Sequence, residues 1–181
     1  MPTKAADKSL ERVYWLTLFT GKTWQEFLEN GASVVGYRSN RWHHVKQMKA
    51  GDSLICYLTG VSRFIGILDV ISQPYKDSLQ IWQIDEMPCR VDVQIRMALT
   101  PETAVPVSTL KDKLSLFKNL RNERAWGMKF KASGQRWSDP DAKIVVNAIK
   151  KALDSPIIRP VDAKILSRKV YYLIPRDKSS G

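Results

Sequence analysis

Two apolar runs on either side of a short turn constrain this chain more than anything else in it. Residues 53–58 and 63–71 carry Leu54, Ile55, Cys56, Phe64, Ile65, Ile67, Leu68 and Val70, and only a connection containing Gly60 and Ser62 separates them. Runs of that length joined by a glycine-bearing turn predict a β-hairpin buried on both faces. Gly66, inside the second run, marks a bulge or a close backbone approach. The rest of the chain has to cover this hairpin.

The covering elements are legible in order. Residues 13–19 are β-branched or aromatic almost throughout and predict a further strand, central in the sheet. Val91, Val93, Ile95 and Met97 alternate with Asp92, Gln94 and Arg96, the pattern of a strand with one wet face. Residues 79–84 predict another strand. Thr23-Trp24-Gln25-Glu26 has the form of a capping box and predicts a helix running to about Asn30-Gly31, with Trp24, Phe27 and Leu28 on the sheet. After Thr100-Pro101 the pattern turns helical. One helix is expected from Thr109, with Leu110, Leu114 and Phe117 on a face; a second follows Ser138-Asp139-Pro140-Asp141, with Asp139 as cap and Pro140 in the first turn. About five or six mostly antiparallel strands with helices around them predict an α+β fold, a small closed or nearly closed β-barrel wrapped by short helices.

A length of 181 residues suits one domain, drawn here at residues 12–153, with 1–11 as a flexible leader and 154–181 as a C-terminal extension that adds a strand or crosses the surface. The formal charge of +11 points to an anionic partner, RNA or DNA before an acidic membrane surface, and its interleaving with Trp, Tyr and Phe suits a groove that stacks bases. Cys56 and Cys89 lack the paired spacing of a metal or redox motif and read as buried thiols in a reducing compartment. No apolar run approaches the roughly 18 residues that cross a bilayer, so a cytoplasmic location and no membrane are expected.

Residues 35–57 bring aromatic, amide, hydroxyl and cationic side chains into a loop, a short helix and a strand. For a flat base, Tyr37, Trp42 and Trp82 are candidate walls and Ser39 and Asn40 candidate readers of the base edge. Arg38, Arg41 and Arg90 are candidates to hold flanking phosphates. Phe19 and Thr20, at the end of the first strand, are candidates for a floor, and Trp126 lies in a basic, aromatic stretch that suits a cleft. Each aromatic has an ordinary alternative as core. His43 and His44 are adjacent and diverge on a helix, with no acidic or cysteine partner nearby, and no phosphate loop or nucleophile elbow is present. No metal, cofactor or catalytic set is expected.

In order and spacing these signals resemble the EVE domain family, within the PUA-like group that includes YTH and ASCH domains. The resemblance is carried by Tyr14-Trp15-Leu16, Gly36-Tyr37-Arg38, Met48-Lys49-Ala50-Gly51-Asp52, Phe64-Ile65-Gly66-Ile67 and the strand expected near Trp82. It covers about residues 12–153. It implies a pseudo-barrel with a pocket that accepts a single, often modified, base flipped out of DNA or RNA. Tyr37-Arg38-Ser39-Asn40 departs from the more usual pattern after Gly-Val-Arg, which leaves the base open. The ASCH relatives imply a second reading, an amidohydrolase on modified nucleosides, for which Lys22 and Glu26 are the only acid–base pair to nominate. A third is a module that grips a protein or small ligand.

Overall fold

The protein is described by a computed structural model covering residues 11–83 and 85–168. The expected leader, apart from Glu11, and the apolar run at 170–174 lie outside the described residues.

The hairpin forms as its sequence requires. Strand β3 (Ser53–Leu58) and strand β4 (Arg63–Val70) pair antiparallel, with a register shift between Cys56 and Tyr57. On its other side β3 pairs in parallel with β1 (Tyr14–Phe19), which is buried along its whole length. The parallel pair exists because the chain crosses over between them through helix α1 (Gly21–Glu29), strand β2 (Val34–Tyr37) and the short helix α2 (Trp42–Val45). β4 then pairs with β6 (Cys89–Ala98), which pairs with β2. Two-residue strands β5 (Tyr75–Lys76) and β7 (Val105–Pro106) join β6 and β4, and β8 (Gln135–Trp137) pairs with β1. The sheet order is β2-β6-β4-β3-β1-β8, and the sheet curls into a half-barrel of the α+β class. The curl is visible in one contact: Tyr37 on β2 shares a 2.8 Å hydrogen bond with Thr17 on β1, at the far side of that order.

Gly66 is a close approach, as expected; a Cβ there would stand 2.8 Å from the Met97 carbonyl oxygen. Two aromatic groups fill the half-barrel. Phe19, Trp24 and Phe27 pack within 5.0–5.6 Å of one another, fastening α1, and Tyr57 stacks on Phe130 at 4.1 Å beside Phe64 and Trp137. Helix α3 (Asp139–Asp154) lays Ala142, Val145 and Ile149 on the sheet.

Five local expectations need correction. Leu28, expected on the sheet beside Trp24 and Phe27, is 46% exposed. The capping box lies three residues earlier than expected: Thr20 is the cap, with its Oγ1 accepting from Thr23 N at 3.0 Å and Thr23 Oγ1 accepting from Thr20 N at 2.8 Å. Glu26 is thereby released for another role. Residues 79–83, expected as strand, form loop, because the buried Arg90 guanidinium takes up that loop's carbonyls at Leu79 and Met87 and pairs with Asp77. The helix expected from Thr109 appears as two 3-10 turns, at Val107–Leu110 and Ser115–Phe117. Between them Leu114 is extended, and Asp141 accepts from Ser115 N (2.9 Å) and Oγ (2.6 Å), holding the chain out of a continuous helix. On α3 the cap position is Ser138 rather than Asp139, with Pro140 in the first turn as expected.

After α3, residues 155–162 run back over the surface to a short helix, α4 (Ala163–Leu166), whose Leu166 lies so close to Gly21 that any Cβ there would meet its carbonyl oxygen. No described helix is long and apolar enough to cross a membrane.

Candidate nucleic-acid interface

The end of β1 is where three loops meet. Gly134 N donates to the Leu16 carbonyl (2.8 Å) and Leu18 N to Ser133 Oγ (3.0 Å), so the Ser133-Gly134 turn caps the strand. The loop after β2 is tied to the same turn by Arg41 Nε, which donates to the Ser133 carbonyl at 2.8 Å. Burial lowers the pKa of Arg41 from its ordinary value. The loop also reaches the 77–88 segment, where Arg38 pairs with Asp85 at 2.9 Å. Between these anchors Ser39 and Asn40 stand exposed at the tip of a 3-10 turn. Trp42 follows, half-buried, with the Lys76 ammonium 4.7 Å from its ring centre.

The 77–88 loop turns inward at Trp82, which is 4% exposed and lies directly on the backbone of Gly36. A Cβ on Gly36 would stand 2.3 Å from Trp82 Cη2, so the absence of a side chain is what admits the indole. Arg90 lies 5.4 Å from the Trp82 ring centre. Beside this pair opens a hollow of about 330 Å³, lined by Trp82, Arg90, Met87, Asp77, Asp85 and Glu86, with Asp77 paired to Arg90 and Asp85 to Arg38. From the helix side, Glu26, 5% exposed, accepts from Gln83 N at 3.2 Å and clamps the loop to α1.

The structure brings Arg38, Ser39, Asn40, Arg41, Trp42 and Trp82 to this corner; Arg90, expected to hold a phosphate, lies there too but is 3% exposed, its guanidinium committed to the Leu79 and Met87 carbonyls and to Asp77. Tyr37, expected as a wall, is 2% exposed; its hydroxyl is bonded to Thr17 and its ring lies against Gly134, so it offers no free face. Burial pushes its pKa far above the ordinary tyrosine value. Phe19, expected as floor, is part of the core beneath α1, and Thr20 is occupied as a helix cap. Trp126 packs on Phe117 and Phe130, with the β3–β4 aromatic group. Lys22 lines a different cavity, of about 700 Å³, between α1, the 99–101 turn and α4, while Glu26 faces Gln83. Among the described residues no group of three or more His, Cys, Asp or Glu is placed to hold a metal ion.

Six participants were not singled out in the sequence: Lys76, Asp77, Asp85, Glu86, Met87 and Ser133. Asp85-Glu86 was the available signal, an acidic pair in a strongly basic chain. Ser133-Gly134 was a second, a turn dipeptide inside a basic aromatic stretch.

The profile of the EVE domain family matches residues 13–148. The UPF0310 protein PYRAB08750 of Pyrococcus abyssi is 27% identical over 114 residues, covering 59% of this chain and 79% of that one. Among solved structures, the YTH domain-containing protein mmi1 in complex with RNA superposes with a TM-score of 0.58 at 12% identity, over 78% of this chain and 83% of that one. The YTH domain of the Zygosaccharomyces rouxii MRB1 protein, in complex with N6-methyladenosine RNA, gives 0.54 at 12% identity, over 77% and 87%.

Proposed function

Because the chain belongs to the EVE domain family, we propose that it is a non-catalytic nucleic-acid-binding module that takes up one base, a modified one by preference, in the hollow beside Trp82. The observation that carries this reading is that hollow: Trp82, Arg90 and the acidic residues Asp77, Asp85 and Glu86 around about 330 Å³, within the usual range of ligand pockets. The YTH structures solved with RNA, one with a methylated adenosine, support it at the level of the fold.

Each group has a stated task. Trp82 stacks on the base, which requires the loop to lift the indole from Gly36, since only 4% of Trp82 is exposed. Asp77, Asp85 and Glu86 accept from exocyclic amino groups, the usual carboxylate contact to a base edge. Ser39 and Asn40 read the edge or the sugar from the rim. Arg38, Arg41 and Lys76 carry the flanking phosphates, and Trp42 offers its half-exposed ring to a neighbouring base. Tyr37 supports the β2 side of the site from the core without touching the ligand, and Phe19, Thr20 and Trp126 take no part in it.

The test is a binding screen of the whole chain against plain and modified RNA and DNA oligonucleotides at low salt. Stacking is worth about 1–3 kcal/mol per base, so Trp82→Ala and Trp42→Ala are each expected to weaken binding roughly 5- to 150-fold. Ser39→Ala with Asn40→Ala, both exposed, is expected to change base preference without altering stability. Affinity falls as salt rises if phosphates are held. No binding to any oligonucleotide at low salt, or unchanged affinity in both tryptophan variants, overturns the reading.

A further inference from the structure

Far from the Trp82 loop in sequence, α3 shows a second face. Ala142, Val145 and Ile149 meet the core, but Ile144, Ala148 and Ala152 are only half-buried and line a cleft of about 390 Å³. The two alanines leave its floor open. Val105 and Leu110, from β7 and the turn after it, form the opposite wall. The third side is the segment after the helix, through Ser155, Ile157 and Arg159.

That third side is fixed by the fold. Arg159 N donates to the Glu102 carbonyl at 2.9 Å, and Arg63 Nη1 donates to the carbonyls of Arg159 (2.9 Å) and Pro101 (2.8 Å). The wall is thus held before any ligand arrives, which lowers the ordering cost of binding.

The charges around the cleft have one sign. Lys113, Lys151 and Arg159 line it, no carboxylate does, and among the described residues none of the three side chains has an ion-pair partner. Like charges around an apolar floor focus a positive potential into it, and an anion entering there relieves their repulsion. Thr109, Asn147 and Ser155 add neutral hydrogen-bonding groups. We propose that this cleft is a binding site for a small amphiphilic anion, with its carboxylate or phosphate head against Lys113, Lys151 and Arg159 and its apolar body on Ile144, Ala148 and Leu110. The site is separate from the proposed base pocket and does not depend on it.

The experiment titrates the whole chain by calorimetry with decanoate, decyl phosphate, decanol and inorganic phosphate, below the micellar range. Both amphiphilic anions are expected to bind, or one of them if the cleft distinguishes the heads, each at least tenfold tighter than decanol or inorganic phosphate. Charge reversal at Lys113→Glu with Lys151→Glu, both exposed, is expected to weaken the anions at least tenfold with no change in melting temperature. Ala148→Phe, which fills the floor, abolishes binding while leaving oligonucleotide affinity unaltered. Failure of both anions to bind, equal binding of decanol, equal binding of inorganic phosphate, or full binding by the charge-reversed variant overturns the proposal.

Discussion

Replacing Gly36 with alanine isolates the contact on which the Trp82 loop rests. The backbone of Gly36 is not in the left-handed region, so alanine carries no conformational strain and acts through its methyl group alone. That methyl would stand 2.3 Å from Trp82 Cη2, 2.6 Å from Cζ3 and 2.8 Å from Met87 Cβ. Under 3 Å something has to move, and the rigid indole is the nearest atom group. Overpacking of this kind costs about 1–3 kcal/mol. For a chain of this size each kcal/mol shifts the melting temperature by about 2–4 °C, so a fall of roughly 2–12 °C is expected by calorimetry. The specific assay is a double-mutant cycle. On a Trp82→Ala background the alanine at 36 meets no indole, and its cost falls toward the smaller Met87 contact. A coupling energy of about 1–2 kcal/mol is therefore expected. If Gly36→Ala costs as much without the indole as with it, the indole is not what Gly36 accommodates, and the account of the loop fails.

Two further outcomes follow from buried polar groups. Asp52, 6% exposed, accepts from Trp15 Nε1 and Lys49 N at 3.0 Å and from Val13 N at 3.3 Å; Asp52→Ala leaves these donors without it and is expected to cost about 2–4 kcal/mol, read as a lower urea midpoint. Burial pushes Tyr57 up to about 12, with a hydrogen bond to Ser62 opposing. A raised pKa means the unfolded chain loses this proton first. The stabilisation is therefore complete below about pH 10 and is lost as pH rises from 10 toward 12, at about 1.4 kcal/mol per pH unit. Urea midpoints across that window should fall less steeply in Tyr57→Phe; an identical slope refutes the assignment.

The sheet was readable because its signals are local. The β3–β4 hairpin, the strand β6 and the buried β1 are written in runs of a few residues, and the structure reproduces them, although the burial alternation along β6 holds only from Val91 to Gln94 and gives way to uniformly half-buried residues from Ile95 to Ala98. What escaped were arrangements decided by distant side chains. Residues 79–83 have strand-like composition, yet the Arg90 guanidinium takes up the carbonyls of Leu79 and Met87 at the two ends of the loop, which composition does not report. Leu110, Leu114 and Phe117 keep helical spacing, but Asp141, 26 residues beyond Ser115, claims the amide that would have continued the helix. For the candidate site the same division holds. The loop 38–42 and Trp82 were visible as residue types out of place in an ordinary turn. Whether an aromatic faces a hollow or the core depends on what lies across the sheet curl. Tyr37 was drawn inward by Thr17, on a strand with which it shares no ladder.

Glu26 shows how one shift of register redistributes roles. With Thr20 and Thr23 closing the cap between themselves, the Glu26 carboxylate is free to accept from Gln83 N at 3.2 Å, and α1 becomes the clamp that holds the residue after Trp82. A hydrogen bond to a charged acceptor contributes about 1.5–3 kcal/mol, so its removal should raise the population of locally open loop about 10- to 150-fold. In Glu26→Ala, amide exchange at Gln83 is expected to accelerate by that factor beyond any change at Ser53, whose amide donates to the Val13 carbonyl at 3.0 Å in the core of the sheet. Exchange at Ser53 reports global stability, and exchange at Gln83 in excess of it reports the clamp. A loop so released should also admit a base more readily, so oligonucleotide affinity is expected to rise as loop protection falls. Equal acceleration at both amides would mean that Glu26 stabilises the fold as a whole and leaves the Trp82 loop ungoverned by α1.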